Sequence, residues 1–140
     1  MFVLDSSVAL AMLMPDEHSA AADALAERFS QGSVPVPSIW PLEVRNALLA
    51  ALRQRRITPR EFDERLGVLA LLPVEVEPPA DMAALERTVA LARRHHLSVY
   101  DACYVDLAKQ RGLPLASLDA KLRKACAAAR VAVLPNSPLE

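Results

Sequence analysis

Short apolar runs alternate with helical stripes along the chain, and the first of them sets the pattern. Residues 2–4 are apolar and typical of a short buried strand, which breaks on Asp5, Ser6 and Ser7. Residues 8–14 are apolar and free of β-breakers, so a helix is expected directly afterwards. The sequence therefore predicts a βα junction with Asp5 at the carboxyl end of a strand.

The same alternation continues to the end of the chain. Further strands are predicted at 34–37, 74–77, 113–118 and 131–134. Further helices are predicted at 16–29, 41–53, 59–72, 80–96, 98–111 and 119–128. We expect one α/β domain over residues 1–140, a three-layer α/β/α sandwich with a parallel sheet of about four or five strands. In such sheets, ligands bind outside the carboxyl ends of the strands.

Composition and charge narrow the class of protein. The 140 residues are 53% hydrophobic and 24% charged, as in a soluble globular domain. The 16 basic and 17 acidic side chains nearly cancel, so no general basic field indicates nucleic-acid binding. Residues 1–30 lack the basic stretch, apolar core and cleavage site of a signal segment, and no apolar run has membrane-spanning length, so we expect neither a signal segment nor a membrane span. Cys103 and Cys126 lie within helical patterns, where buried free thiols are expected, and we predict a cytoplasmic protein without a membrane partner.

Four acidic residues stand at or near the N-terminal turns of predicted helices, namely Asp5, Glu43, Asp101 and Asp119. Each alone has a structural interpretation, since acids cap helices and favour their first turn. Together at one sheet edge, however, they would repel one another, and a divalent cation relieves that repulsion. Carboxylate oxygens suit Mg²⁺ or Mn²⁺, ions that also accept phosphate oxygens. The set predicts a metal site for phosphate chemistry.

Four short stretches carry a family resemblance. They are DSS from Asp5, EVRNAL from Glu43, YDACY from Tyr100, and LASLD ending at Asp119. In this order and spacing they resemble the four motifs of PIN-domain ribonucleases, and in particular the VapC-type toxins of bacterial toxin–antitoxin pairs. The resemblance covers essentially the whole chain. In the fourth motif, many relatives have a threonine and a further polar residue where this chain has Ser117 and Leu118.

The resemblance implies a site, a reaction and a cofactor. The implied metal ligands and catalytic residues are Asp5, Glu43, Asp101 and Asp119, and the implied supporting residues are Ser6, Ser7, Asn46 and Ser117. The implied reaction is hydrolysis of an RNA phosphodiester by a water that Mg²⁺, or alternatively Mn²⁺, activates. The implied partners are an RNA substrate, a small antitoxin protein and a second copy of the chain.

Two other features have both a structural and a functional interpretation. Lys121 and Arg123 follow Asp119 and either solvate the helix or contact substrate phosphates. Trp40 stands just before a proline at the second βα junction, where we expect it at an interface.

Apolar side chains exceed what one thin sheet needs to bury. The first helix, with Met12 and Met14, and the helix pair over 41–72 supply this surplus. We therefore expect an interface there for a homodimer or for an apolar antitoxin helix, to which flexible methionines adapt.

Three other classes of function remain open at this stage. A metal-dependent DNA or flap nuclease would share the acidic cluster. A phosphorylated receiver would need its acceptor aspartate at the end of a central strand, whereas the middle strand ends Glu77-Pro78-Pro79. A non-catalytic interaction module leaves the convergent acids without a cause, and it would show no Mg²⁺ binding that depends on Asp5.

Overall fold

A computed structural model of the chain describes residues 1–136. The strands in this range are β1 (Val3–Leu4), β2 (Val34–Val36), β3 (Val74–Val76), β4 (Leu115–Ala116) and β5 (Val133–Leu134). The α-helices are α1 (Ser6–Leu13), α2 (Ala20–Arg28), α3 (Trp40–Arg53), α4 (Pro59–Ala70), α5 (Met82–His95), α6 (Val99–Arg111) and α7 (Ala120–Ala128). Short 3-10 helices, Pro15–Glu17 and Phe29–Gln31, flank α2.

All strand pairs are parallel, which confirms the α/β class. β4 lies between β1 and β5, with Val3 opposite Leu115, and β2 pairs separately with β3. The expected single sheet of four or five strands is therefore wrong in its pairing: within residues 1–136 the strands form ladders of three and two. The two ladders meet where β1 contacts β2. β1 is only two residues long and Pro35 in β2 has no N–H, so few backbone hydrogen bonds can form between these two strands. The three-layer arrangement stays a prediction.

The helix boundaries largely follow the sequence signals. Thr58 caps α4, Gly112 ends α6 in the left-handed region at φ +62°, and Asp119 caps α7, as their residue types predict. At the start of α3, Ile39 holds the cap position and Pro41 lies in the first turn. The chain therefore enters α3 without a side-chain cap.

The core lies between the strands and the helices that pack on them. Trp40 is 2% exposed and belongs to this core, so its expected place at an interface is wrong. Met14 is buried too, which removes it from the surface surplus predicted for the first helix, whereas Met12 is half-buried. Both cysteines are free thiols, with Cys126 buried and Cys103 half-buried.

Backbone hydrogen bonds continue the ladder beyond the strands and fix the edge where the site lies. The Asp5 N–H donates to the Ala116 carbonyl at 3.0 Å, and the Ser117 N–H donates to the Leu134 carbonyl at 3.1 Å. Asp5 and Ser117 are thus held in register at the carboxyl ends of neighbouring strands. None of the helices within residues 1–136 combines the length and apolar character needed to cross a membrane.

Candidate active site

Asp5 is the most buried of the four acids predicted for the site. It occupies the N-cap position of α1 but accepts no capping hydrogen bond on its side chain. Its Oδ2 atom instead accepts hydrogen bonds from Ser7 Oγ at 2.6 Å and from Ser117 Oγ at 2.7 Å. Burial raises the pKa of the Asp5 carboxyl above its ordinary value, and these two hydroxyls oppose that rise. The Asp5 carboxylate therefore does not cap its own helix and is held by the two serine hydroxyls instead.

The two hydroxyls that hold Asp5 are themselves oriented by the backbone. Ser7 Oγ accepts from the Leu118 N–H at 2.9 Å, and Ser117 Oγ accepts from the Asp119 N–H at 3.1 Å. With the backbone donating to each oxygen, the hydroxyl protons are left to point at Asp5. Both bonds fall on Oδ2, whereas Oδ1 has a longer contact of 3.5 Å from Ser6 Oγ.

Glu43 approaches Asp5 from the first turn of α3. Ser6 Oγ lies between the two residues and donates to Glu43 Oε2 at 3.3 Å. The other oxygen, Oε1, is buried and makes no hydrogen bond of ordinary length within residues 1–136, although the Tyr104 hydroxyl lies near enough to lower the pKa of Glu43. Burial first, and then the negative charge of Asp5, raise the pKa of the Glu43 carboxyl. Glu43 therefore keeps a buried acceptor that is only weakly satisfied.

Asp101 lies in the first turn of α6, and its N–H donates to Ser98 Oγ at 3.0 Å. Burial raises the pKa of the Asp101 carboxyl, and the charges of Asp5 and Asp119 add to that rise, whereas the positive charge of Lys121 lowers it. The carboxylate thus lies near both other aspartates. We infer that it faces the cluster.

Asp119 has two roles in the geometry. Its Oδ1 atom accepts from the Leu122 N–H at 2.9 Å and so caps α7. Its charge also raises the pKa values of Asp5 and Asp101, which places it close to both. The structure therefore brings the four predicted acids together, and their roles in metal binding and catalysis stay predictions.

The remaining predicted site residues differ in their surroundings. Asn46 is exposed one turn after Glu43 and makes no hydrogen bond to the acids within the described range. Lys121 is exposed beside Asp101. Arg123 donates to the carbonyls of Ser117, Leu134 and Pro135 at 2.8 to 3.1 Å. This geometry favours a structural role for Arg123, and its contact with phosphate stays a prediction.

Tyr104 is a site residue to which the sequence analysis gave no role. It is fully buried on α6, beside Glu43 and Ser6. Its hydroxyl makes no hydrogen bond of ordinary length among the described residues, and the side chains of Ser6 and Glu43 are its nearest polar neighbours. Burial, followed by the charges of Glu43 and Asp5, raises its pKa far above the ordinary value. Its position one helical turn after Asp101 was the available signal, because residues i and i+3 share a helix face.

The chemistry of this site fits a hard divalent cation. Its donors are carboxylate oxygens, one of them the buried Oε1 of Glu43, and their repulsion would fall if a cation lay between them. Within residues 1–136, no three His, Cys, Asp or Glu side chains yet lie close enough to form a preassembled site. Side-chain adjustment would therefore have to accompany metal binding.

Comparison with solved structures shows the same fold in several proteins. FitAcB from Neisseria gonorrhoeae is 22% identical with a TM-score of 0.70, over 99% of this chain and 100% of that one. A toxin–antitoxin complex from Klebsiella pneumoniae is 17% identical with a TM-score of 0.67, over 99% and 100% of the two chains. VapBC2 from Rickettsia felis, bound to a DNA fragment from its promoter, is 9% identical with a TM-score of 0.65, over 94% and 96%.

Sequence comparison identifies the family. No curated protein matches the chain significantly. The family profile described as PIN domain matches residues 2–128, which is most of the chain and includes all four acids of the site. The chain therefore belongs to the PIN-domain family of nucleases.

Proposed function

We propose that the protein is a Mg²⁺-dependent endoribonuclease, with Mn²⁺ as an alternative ion, that acts as the toxin of a toxin–antitoxin pair. The observation that supports this most strongly is the convergence of Asp5, Glu43, Asp101 and Asp119 at one edge of a PIN fold. An arrangement that served only helix capping would leave no reason for their shared position.

In the proposed reaction, the four acids would hold the ion, and the neighbouring hydroxyls orient Asp5. Ser7 and Ser117 fix Oδ2 of Asp5, so Oδ1, which has a longer contact with Ser6, is the oxygen that would bind a ligand. Glu43 would contribute its buried Oε1. When bound, the ion supplies a water of lowered pKa and neutralises charge on the scissile phosphate. Lys121, exposed next to Asp101, is placed to contact the substrate backbone.

The preference for RNA rests on the resemblance of the four motifs to PIN-domain ribonucleases. The near-neutral overall charge, with 16 basic and 17 acidic residues, means that substrate contacts are local to the site. Shape and phosphate contacts would then dominate recognition.

The proposed partner is a small antitoxin protein. Its support is the similarity in fold to a Klebsiella pneumoniae toxin–antitoxin complex. An arginine from such a partner would pair with the acidic cluster and compete with the metal. Inhibition would then be electrostatic as well as steric. We also expect the protein to form a homodimer.

Cleavage of labelled RNA in Mg²⁺ and in Mn²⁺ tests the nuclease. Asp5→Asn keeps the shape of the side chain but removes its charge, so cleavage should be lost while the circular dichroism spectrum is unchanged. Asp63→Asn, an exposed aspartate on α4, is the matched control and should cleave normally. Undiminished cleavage by the Asp5 variant refutes the assignment, and cleavage of DNA in preference to RNA refutes the proposed substrate.

The antitoxin is tested in cells. Expression of the protein should arrest growth, and co-expression of the adjacent reading frame should restore it. Toxicity that the neighbouring gene does not relieve would rule out that gene product as the antitoxin.

A further inference from the structure

Glu43 and Tyr104 each have a buried oxygen that makes no hydrogen bond of ordinary length within residues 1–136, namely Oε1 of Glu43 and the phenolic oxygen of Tyr104. Most buried polar groups in proteins have a hydrogen-bond partner, so two such atoms at one site call for an explanation. The two side chains are neighbours, because the Tyr104 hydroxyl lies near enough to lower the pKa of Glu43. A weakly satisfied acceptor and a weakly satisfied donor therefore lie side by side.

Asp5 and Glu43 differ in how firmly serine hydroxyls hold them. Oδ2 of Asp5 accepts two short hydrogen bonds, at 2.6 and 2.7 Å. Oε2 of Glu43 has a longer contact of 3.3 Å from Ser6 Oγ, which also lies 3.5 Å from Asp5 Oδ1. Ser6 has one hydroxyl proton, so it cannot donate fully to both acids. Among the described residues, the serines thus hold Asp5 well and Glu43 weakly.

Tyr104 can supply the donor that Glu43 needs. Its side chain is fully buried in the core, on a helix, α6, that packs against β1. A close-packed ring keeps its rotamer, so the hydroxyl cannot turn out to water. Burial and the charges of Glu43 and Asp5 raise the pKa of Tyr104, so the hydroxyl keeps its proton. Of its two nearest polar neighbours, Ser6 and Glu43, the carboxylate is the stronger acceptor.

We propose that Tyr104 is a positioning residue, whose hydroxyl donates to Oε1 of Glu43 and so holds this carboxylate in the acidic cluster. A carboxylate oxygen has two lone pairs, so Oε1 can accept the phenolic proton and still bind an ion. Carboxylates that bind metals are themselves held by hydrogen bonds, and loss of such a bond costs about 10- to 100-fold in metal affinity. The inference rests on the proposed function, because it assigns a role within the same site.

Calorimetric titration with Mg²⁺ tests the positioning role. Tyr104→Phe keeps the buried ring and removes only the hydroxyl, so it should weaken Mg²⁺ binding about 10-fold. Tyr100→Phe makes the same change at a 66% exposed tyrosine of α6 and is the matched control, in which binding should be unchanged. Wild-type Mg²⁺ affinity in a Tyr104→Phe protein with an unchanged circular dichroism spectrum overturns the proposal.

The Mg²⁺ dependence of RNA cleavage separates positioning from a direct part in the reaction. In Tyr104→Phe, the Mg²⁺ concentration that gives half the maximal rate should rise about 10-fold. The maximal rate at saturating Mg²⁺ should stay within about 2-fold of the wild type, since the ion then fills the site. A lower maximal rate with an unchanged Mg²⁺ requirement overturns the positioning role.

A double-mutant cycle in EDTA tests the contact without the ion. In the wild type, Tyr104→Phe should lower the urea midpoint of unfolding, because Glu43 loses a donor. In the Glu43→Ala background the hydroxyl has lost its acceptor, so the same substitution should leave the midpoint unchanged or raise it. Equal falls in both backgrounds would mean that Tyr104 stabilises the fold independently of Glu43, which overturns the proposal.

The tyrosine contact and the proposed enzyme can fail separately. If the wild type binds no Mg²⁺ but the cycle shows coupling between Tyr104 and Glu43, the contact stands and the metal-dependent nuclease does not. If the wild type binds Mg²⁺ and cleaves RNA, and Tyr104→Phe does both equally well, the nuclease stands and the positioning role does not.

Discussion

Helices α4 and α6 begin with the same pattern, a hydroxyl residue followed three positions later by an acid. At the start of α4, the Glu61 N–H donates to Thr58 Oγ1 at 3.1 Å and the Thr58 N–H donates to Glu61 Oε2 at 2.8 Å. At the start of α6, the Asp101 N–H donates to Ser98 Oγ at 3.0 Å. The return bond from the backbone to the acid, present in α4, is not formed in α6.

The difference shows how one local pattern supports two kinds of role. The acid in α4 closes on its own backbone and completes a capping box, which satisfies two otherwise unpaired donors. The carboxylate of Asp101 in α6 does not accept this return bond from the backbone, and it lies near the charges of Asp5 and Asp119. α6 packs against β1 and β4, so its first turn meets the carboxyl edge of the sheet. The surroundings of a helix end, rather than its sequence pattern, decide what the acid does.

The largest expected effect is on the rate of RNA cleavage, in which the acids at the starts of α6 and α4 should differ. Asp101→Asn should lower the rate of RNA cleavage more than about 100-fold, since loss of a partner one shell further from a metal already costs about 10- to 100-fold. Glu61→Gln should leave the rate within about 2-fold. Initial rates at saturating Mg²⁺ measure both. Equal losses in the two variants would mean that both acids act only through helix stability.

A second test compares two serines with different duties. Ser117→Ala removes one of the two hydroxyls that hold Asp5 and should weaken Mg²⁺ binding about 10- to 100-fold in calorimetric titration. Ser98→Ala removes a cap and should cost about 1 kcal/mol of unfolding free energy with little change in Mg²⁺ affinity. Unchanged Mg²⁺ binding in the Ser117 variant would contradict the positioning role.

Asp119 combines the two roles, because it caps α7 and also lies close to Asp5 and Asp101. Asparagine caps helices as well as aspartate, so Asp119→Asn should keep the unfolding free energy but weaken Mg²⁺ binding about 10-fold. Asp119→Ala loses the cap as well and should cost about 1 kcal/mol of unfolding free energy. Chemical denaturation and calorimetry separate the two effects. Mg²⁺ binding that is normal in both variants would leave Asp119 as a cap alone.

The smallest expected effect is on the stability of the metal-free protein, where the two acids should have opposite signs. Glu61→Gln weakens a capping box and should lower the unfolding free energy by about 0.5 to 1 kcal/mol. Asp101→Asn removes a charge that burial and neighbouring carboxylates disfavour, so it should raise the melting temperature in EDTA. A fall in both variants would support the capping role for Asp101.

The gain from Asp101→Asn should also depend on pH. The pKa of the folded Asp101 carboxyl is raised above 3.8, so the folded protein binds this proton more tightly than the unfolded chain. The stability due to that proton is fully present below about pH 3.8 and is lost as pH rises through the raised pKa. The advantage of the variant should therefore be greatest at neutral pH and vanish on acidification. Melting curves of both proteins at several pH values measure this difference.

The order of helices and strands was predictable because capping residues, prolines and glycines mark where these elements begin and end. Thr58, Ser98 and Gly112 act as their residue types indicate. What covers each helix face was less predictable. The spacing of Met82, Leu85 and Val89 correctly predicted a helix, but the same spacing suits a face on the core and a face on a partner.

The acids of the site were found from strand ends and from the family motifs, whereas their contacts were not. The bond from Ser117 to Asp5 depends on the register of β1 and β4, which no local pattern encodes. Trp40 and Met14 were placed at the surface, yet both fill the core. A large apolar side chain has the same sequence signature in either place.

The span between Asp5 and Ser117 has a consequence for protein synthesis. Their side chains are 112 positions apart in the chain, and β1 has no ladder partner within β4 until Leu115 and Ala116 have been made. At about 5 to 20 residues per second, a ribosome needs about 6 to 22 s to extend the chain from one residue to the other. Throughout that time the nascent chain lacks the edge on which the acids converge. A translation product truncated before residue 115 would therefore lack the strand against which β1 and Asp5 are held.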